Sequence, residues 1–272
     1  MSRKNNKDLA GRTAVVTGAS SGIGLCFSRT LAARGCSLVM VSNQEGVLER
    51  CSEDIAREFG VAAYPFFCDL TDPSAPEAIA GFLDENGLDA DILINNAGIF
   101  SFMPVVDTPE RKIDCFIDLH VTAVTKLSRL FANRFAARGG GNILNMSSMS
   151  CWMPMPGIAM YSATKAYIRV FSRALHYEMR DSGVRVTVAC PGGIATDLFG
   201  LPKNLQKLAL RLHAIQSPET FTRHAVRKML RGKMQYINGW LNRVAIVFIG
   251  ILPTPARMMI KHKMLDKNIT RP

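Results

Sequence analysis

Apolar and polar positions fall into regular blocks along the first two thirds of the chain. A β-branched run at 13–17 (TAVVT) breaks into a glycine-rich segment at 18–24, and apolar residues then recur at helical spacing through Arg34. That block predicts a strand, a tight turn and a helix. The alternation returns with strands at 37–41, 62–69, 91–95, 142–146 and 184–190, separated by helices at 47–59, 76–86, 113–138 and 160–181. Such regular alternation predicts an α/β fold, a doubly wound parallel sheet wrapped by helices, with its ligand crevice at the carboxyl ends of the strands.

After Pro202 the pattern changes. Leu201, Leu205, Leu208, Leu212 and Ile215 fall at helical intervals with Lys203, Lys207 and Arg211 on other faces, which predicts an amphipathic helix. The run 244–252 is uncharged and mostly apolar, is closed by Pro253, and is too short to span a bilayer. It reads either as a last core element or as a segment lying in a membrane interface. Ala256, Met259, Ile260 and Met264 then recur beside Arg257, Lys261 and Lys263, the pattern of a helix that rests on an anionic surface.

Composition sharpens this division. The 272 residues are 48% hydrophobic and 20% charged, with a mean hydropathy of +0.10, which excludes a disordered chain and a multi-span membrane protein. Of the net charge of +11, the whole excess lies after Pro202, where 14 Lys and Arg face 2 Asp and Glu. The predicted partner of that tail is a peripheral anionic membrane through 203–272; a nucleic acid is not expected, because no recognisable module or interleaved aromatics accompany the charge. Seven scattered cysteines without a CxxC pair read as reduced thiols, and the five histidines show no metal-ligand spacing, so no metal site is expected. The polar N-terminus resembles no signal peptide, and the expected location is cytoplasmic, peripheral to a membrane.

Candidate chemistry sits at the predicted strand ends. In the segment from Gly18 to Gly24 (GASSGIG), glycines let the backbone approach a pyrophosphate while helix N-terminal N–H groups face its charge. Asn95-Asn96-Ala97-Gly98 offers small and amide side chains that line a flat ring without crowding it. Tyr161 and Lys165 are four apart on one helix face, so the ammonium can lie close to the phenol and lower its pKa, which suits Tyr161 to proton transfer. Ser148 stands thirteen residues upstream, and Pro191-Gly192-Gly193-Ile194-Ala195-Thr196 follows the last of these strands.

In their order and spacing these four motifs resemble the short-chain dehydrogenase/reductase family, and the resemblance covers 9–196. It implies a Rossmann-like fold with a seven-stranded sheet, a nicotinamide cofactor and hydride transfer between that cofactor and a carbonyl/alcohol pair. By the same resemblance Tyr161 is the acid/base, Lys165 lowers its pKa and binds the nicotinamide ribose, and Ser148 polarises the carbonyl. Gly18, Ser20, Ser21, Gly22, Ile23 and Gly24 hold the dinucleotide, and Asp69 with Leu70 the adenine. Asn95, Ala97 and Gly98 line the adenosine side, and Pro191, Gly192, Ile194 and Thr196 the carboxamide side. The family's usual asparagine behind the lysine is replaced by His120, which implies an altered proton relay.

At the end of the second strand stand Ser42 and Asn43, followed by Gln44, where a carboxylate would bind the ribose 2′-hydroxyl and repel a 2′-phosphate. Its absence favours NADP(H), with NAD(H) as the alternative. The expected pocket residues are Phe100, Phe102, Met103, Cys151, Trp152, Met153, Met155, Ile158, Leu198, Phe199 and Leu201, an apolar set suited to a lipophilic carbonyl/alcohol substrate. One domain is expected over 1–239, with substrate-loop helices near 198–231, followed by a basic and apolar extension over 240–272. The tail resembles that of the family's membrane-associated lipid and steroid carbonyl reductases. The leading expectation is reduction of a 3-ketosphinganine-like or 3-oxoacyl lipid, the alternative a hydroxysteroid or bile-acid dehydrogenase, and the third a non-catalytic NAD(P)-binding regulator. A homodimer or homotetramer built on the helices beginning near 113 and 160 follows from the same resemblance.

Overall fold

The computed structural model describes residues 8–194, 216–251 and 253–262. Strand β1, Thr13–Thr17, is buried at every position, which is why its apolar run is continuous instead of alternating. It pairs in parallel with β2, Ser37–Ser42, on one side. β3, Ala63–Phe67, lies beyond β2, and β4, Ala90–Asn95, flanks β1 on its other side. β5, Gly141–Met146, β6, Val184–Ala189, and the two-residue β7, Gln235–Tyr236, continue outward from β4. The order β3-β2-β1-β4-β5-β6-β7 is the expected seven-stranded Rossmann-like sheet. Winding reverses between β1 and β4, so the carboxyl ends of those two strands diverge into a crevice.

The connections carry α1, Gly22–Ala32; α2, Glu45–Phe59; α3, Ala75–Glu85; α4, Glu110–Ile117; α5, Ala123–Ala137; and α6, Ala159–Glu178. Later come α7, Pro218–Leu230; α8, Trp240–Gly250; and α9, Thr254–Lys261. Successive strand residues point to opposite faces. Val16 and Met40 therefore join Phe27, Ile55 and Phe221 in one core, while Val15 and Val39 join Ile79, Leu127 and Phe131 in the other. Each such fully buried side chain stabilises the fold by about 1.5–3 kcal/mol.

Four expectations change. The strand expected at 62–69 ends at Phe67, so Cys68 and Asp69 leave the sheet for the crevice. The helix expected at 160–181 stops at Glu178, and a tight turn at Arg180–Ser182 follows. The helix expected at 113–138 begins at Glu110 and is broken by a π-helical turn at Asp118–Thr122, which inserts one residue into the helical register. The run 244–252 is no core element: it belongs largely to α8, none of whose described side chains is fully buried. The helix expected at 201–215, and Lys263 and Met264, lie outside the described residues. Among those described, no helix is long and apolar enough to cross a membrane.

Candidate active site

Where β1 and β4 part, a cleft of about 1010 Å3 runs across the strand ends. Gly18 turns the chain at φ +64, a conformation that favours glycine, and a side chain there would meet Ala97 Cα at 2.9 Å. A Cβ on Gly24 would lie 2.0 Å from the Gly18 carbonyl oxygen, so the turn and the first turn of α1 interlock. Ser21, Gly22 and Ile23 line the cleft at the N-terminus of α1, where Ser21 makes no side-chain cap and no acidic residue occupies the first turn. That end presents its N–H groups and positive dipole to an anion.

The rest of the wall follows the strands. Ser42 and Asn43, with Gln44, close one corner; Ser20 Oγ lies 2.9 Å from Ser42 Oγ and donates to Gln44 Oε1 at 2.9 Å. Asp69, Leu70 and Thr71 form a second side, with Asp69 Oδ1 accepting from the Thr71 N–H at 3.0 Å and its hydroxyl at 2.9 Å. Ala97, Gly98, Pro191, Gly192 and Ile194 complete the lining. The uncapped helix end and the glycine cradle fit a dinucleotide pyrophosphate. Thr196 lies outside the described residues.

Two expected members stand behind the wall. Gly24 acts through its close approach to Gly18, not as a lining residue. Asn95 faces the interior: its Nδ2 donates to Asn145 Oδ1 at 2.8 Å and to Ser128 Oγ at 3.2 Å, because the last residue of β4 sits in register with Asn145 of β5. Asn96, part of the same motif but not among the residues the family resemblance assigns to the cofactor, lines the cleft instead, held by its own N–H to Thr17 Oγ1 at 3.0 Å and by Nδ2 to Thr17 O at 3.1 Å. Thr17 is the missed partner, and a threonine ending β1 ahead of the glycine turn is the signal that could have shown it.

Ser148, Tyr161 and Lys165 meet at the deep end of the cleft, all buried. Ser148 leaves β5 and accepts the Ser150 N–H at 3.1 Å, which fixes its hydroxyl at the start of a tight turn. Tyr161 is held edge-on by the Phe100 ring at 5.1 Å. Lys165 Nζ donates to the Met146 carbonyl at 3.0 Å and lies 5.7 Å from the Tyr161 ring centre. Burial pulls the Lys165 ammonium down to about 8. Burial also pushes the Tyr161 phenol above its ordinary value, partly offset by its hydrogen bond with Ser148. The expected lowering of the phenol by Lys165 is not found in the protein itself: desolvation dominates and raises it, and the opposing pull comes from Ser148.

His120 is also fully buried, within the π-helical turn. Its Nε2 accepts the Ile99 N–H at 3.1 Å, so Nδ1 carries the proton and donates to Thr164 Oγ1 at 2.9 Å. Burial, with the nearby Lys165 charge, holds its pKa well below the ordinary value, so the ring is neutral. Both nitrogens have protein partners, and the ring packs edge-on to Tyr161, their centres 6.1 Å apart, while holding the Gly98–Ile99 backbone. A Cβ on Gly98 would lie 2.8 Å from His120 Nε2 and 3.4 Å from Lys165 Nζ, which is why that floor position carries no side chain. Ser147, also missed, ties the Lys165 backbone carbonyl to β5 at 2.7 Å.

Next to Ser148 and Tyr161 opens a second pocket of about 300 Å3. Phe100, Phe102, Met153, Met155 and Ile158 line it as expected, with Met149, Pro156 and Gly193, and among the described residues no charged side chain lines it. Met103 is not among its lining residues. Cys151 and Trp152 pack instead beside Val188 and Cys190, away from it, with the Arg169 guanidinium 4.4 Å from the Trp152 ring centre. Leu198, Phe199 and Leu201 lie outside the described residues.

A dinucleotide cleft ending on a buried Ser-Tyr-Lys cluster defines an oxidoreductase that interconverts a hydroxyl and a ketone with NAD(P). Residues 12–204 match the short chain dehydrogenase family, and the chain belongs to it. It is similar to the very-long-chain 3-oxoacyl-CoA reductase of Anas platyrhynchos, 31% identical over 93% of this chain and 80% of that protein. A solved 7beta-hydroxysteroid dehydrogenase shares the fold at a TM-score of 0.82 and 27% identity, covering 94% of this chain and 98% of that one. A short-chain dehydrogenase from Sphingobium yanoikuyae in complex with NADPH matches at a TM-score of 0.74 and 28% identity, over 96% of both chains.

Proposed function

We propose that this enzyme reduces a lipophilic long-chain ketone, a 3-oxoacyl or 3-ketosphinganine-like lipid, to the alcohol with NADPH. The observation that carries the reading is the apolar pocket of about 300 Å3, lined by no charged side chain among the described residues, that opens directly onto Ser148 and Tyr161. A keto-lipid chain loses its water there at no cost in unpaired polar groups. When bound, the nicotinamide supplies the hydride. Ser148 donates a hydrogen bond to the substrate oxygen, and Tyr161 delivers the proton that converts it to a hydroxyl. Gly18, Gly22 and the α1 N-terminus hold the pyrophosphate, and Lys165 holds positive charge behind the phenol below its depressed pKa.

The preference for NADPH rests on the corner at Ser20, Ser42, Asn43 and Gln44, which has hydroxyls and amides and no carboxylate to repel a 2′-phosphate. The similarity to the reductase of very-long-chain 3-oxoacyl-CoA and to an NADPH complex supports both halves of the reading. A second reading, a hydroxysteroid or bile-acid dehydrogenase, is favoured by the similarity to the 7beta-hydroxysteroid enzyme and by the aromatic walls Phe100 and Phe102. A homodimer or homotetramer is also part of the proposal, supported by Ile117 of α4 and Val170 and Tyr177 of α6, all exposed apolar positions on the long helices. The test of the reaction is NADPH and NADH oxidation with a long-chain 3-oxoacyl thioester, a keto-sphingoid base and steroid ketones. Activity that rises with acyl length supports the lipid reading; turnover of steroid ketones alone transfers it to the second.

A further inference from the structure

Helix α8 carries an unusual face. Trp240, Leu241, Val244, Val247 and Phe248, with Ile251 just beyond its end, are all exposed, Trp240 and Ile251 at 71% and 72%. At 100° per residue these six fall within an arc of about 120°. On the opposite side Asn242, Ala245, Ile246 and Ile249 are half-buried, and the helix packs against the turn Met149–Trp152. In α9, Met258 and Met259 are exposed as well. Apolar side chains gathered on one face in this way mark an interaction surface, whereas single exposed ones are ordinary.

The charges around the face select its partner. Arg243, Arg257 and Lys261 belong to the same two helices, and no Asp or Glu occurs anywhere in 220–262. A second copy of the chain placed face to face would bring these cations together without an acidic residue of either α8 or α9 to offset them. An anionic bilayer meets both properties, taking the apolar stripe into its headgroup boundary and the Lys and Arg heads at its surface. Eleven residues of helix span about 16 Å, half of a hydrocarbon core, so α8 is long enough to lie along a membrane surface and too short to cross one.

The same helix reaches the active site. Asn242 Nδ2 donates to the Asn238 carbonyl at 2.7 Å, and Asn238 Oδ1 accepts the Gly192 N–H at 2.7 Å. A Cβ on Gly192 would lie 2.4 Å from Asn242 Nδ2, so α8 is packed directly against a wall shared by the cofactor cleft and the apolar pocket. We propose that α8 and α9 dock the enzyme on an anionic membrane surface and that the pocket beside Gly192 loads its long-chain ketone from that surface. This rests on the lipid-ketone reading for its second half only.

The test uses the full chain and vesicles of phosphatidylcholine alone or with about a third phosphatidylserine. Wild type sediments with the anionic vesicles and is released by salt. Val247→Glu with Phe248→Glu lowers that binding about tenfold or more, and Arg243→Glu with Lys261→Glu does the same through charge, should the first pair disturb folding. Against a short water-soluble ketone the variants keep wild-type kcat/KM, whereas against a long-chain ketone held in the vesicles they lose about tenfold. Wild type that stays in the supernatant with both vesicles overturns the proposal, as does a face-dependent dimer that Val247→Glu with Phe248→Glu splits while vesicle binding is absent. Vesicle binding without turnover of any long-chain ketone leaves the docking in place and removes the lipid-substrate reading. Turnover of the lipid ketone with no vesicle binding does the reverse.

Discussion

Lys165 is held where an ammonium is expensive. Burial draws it from an ordinary 10.5 down to about 8, which costs the fold about 3 kcal/mol at neutral pH. The sign follows from the depression: below about pH 8 both states keep the proton and the full cost is present. Between that value and 10.5 only the unfolded chain keeps it, so stability rises with pH. Lys165→Met should therefore be more stable than wild type at pH 7 by about 1–2 kcal/mol, after the lost bond to Met146 O, while activity falls by about 100-fold or more. Denaturant unfolding beside steady-state rates checks both. His120 works in the other pH range. Because its folded pKa lies well below 6.5, acid protonates only the unfolded chain, and stability falls below pH 6.5 by up to about 1.4 kcal/mol per pH unit. His120→Asn should lose that acid slope, measured by unfolding at pH 7.5 and 5.5; an unchanged slope would assign it to another group.

At the level of elements, the turn from β1 into α1 is the tightest constraint. Gly24→Ala places a Cβ 2.0 Å from backbone oxygen, which no side-chain rotation relieves, and we expect dinucleotide affinity to fall about 100-fold with a stability loss of about 1–3 kcal/mol. Titration of cofactor fluorescence against a melt separates the two effects. The β–α order, this turn and the pairing of Tyr161 with Lys165 were legible in the sequence because each follows a fixed period or spacing. The π-helical turn at Asp118–Thr122 was not, since one inserted residue leaves the apolar pattern of the long helix almost unchanged. Asn95 was misread for a related reason: the motif shows two asparagines, but only strand register reveals that the first meets Asn145 inside the sheet and the second lines the cleft. The run 244–252 likewise showed its hydrophobicity but not which side of α8 would face the protein.

Across the whole molecule, two surfaces meet at Ser148 and Tyr161: a glycine-lined cleft edged by hydroxyls and amides on one side and an apolar pocket on the other. The proposed preference for NADPH rests on the corner of the cleft at Ser42 and Asn43. Asn43→Asp should lower kcat/KM for NADPH about 100-fold through repulsion of the 2′-phosphate and leave NADH within a few-fold; equal loss with both would show that this corner does not meet the 2′ position. In the reading proposed above, the apolar pocket selects the substrate and the outward face of α8 the surface where that substrate is met. The most direct measurement of the central claim is NADPH oxidation by wild type and Tyr161→Phe against 3-oxoacyl thioesters of increasing chain length, with steroid ketones alongside. The account predicts kcat/KM rising with chain length for wild type and a loss of about 100- to 10,000-fold in Tyr161→Phe with NADPH binding retained. Turnover that ignores chain length, or a Tyr161→Phe enzyme as active as wild type, would contradict it.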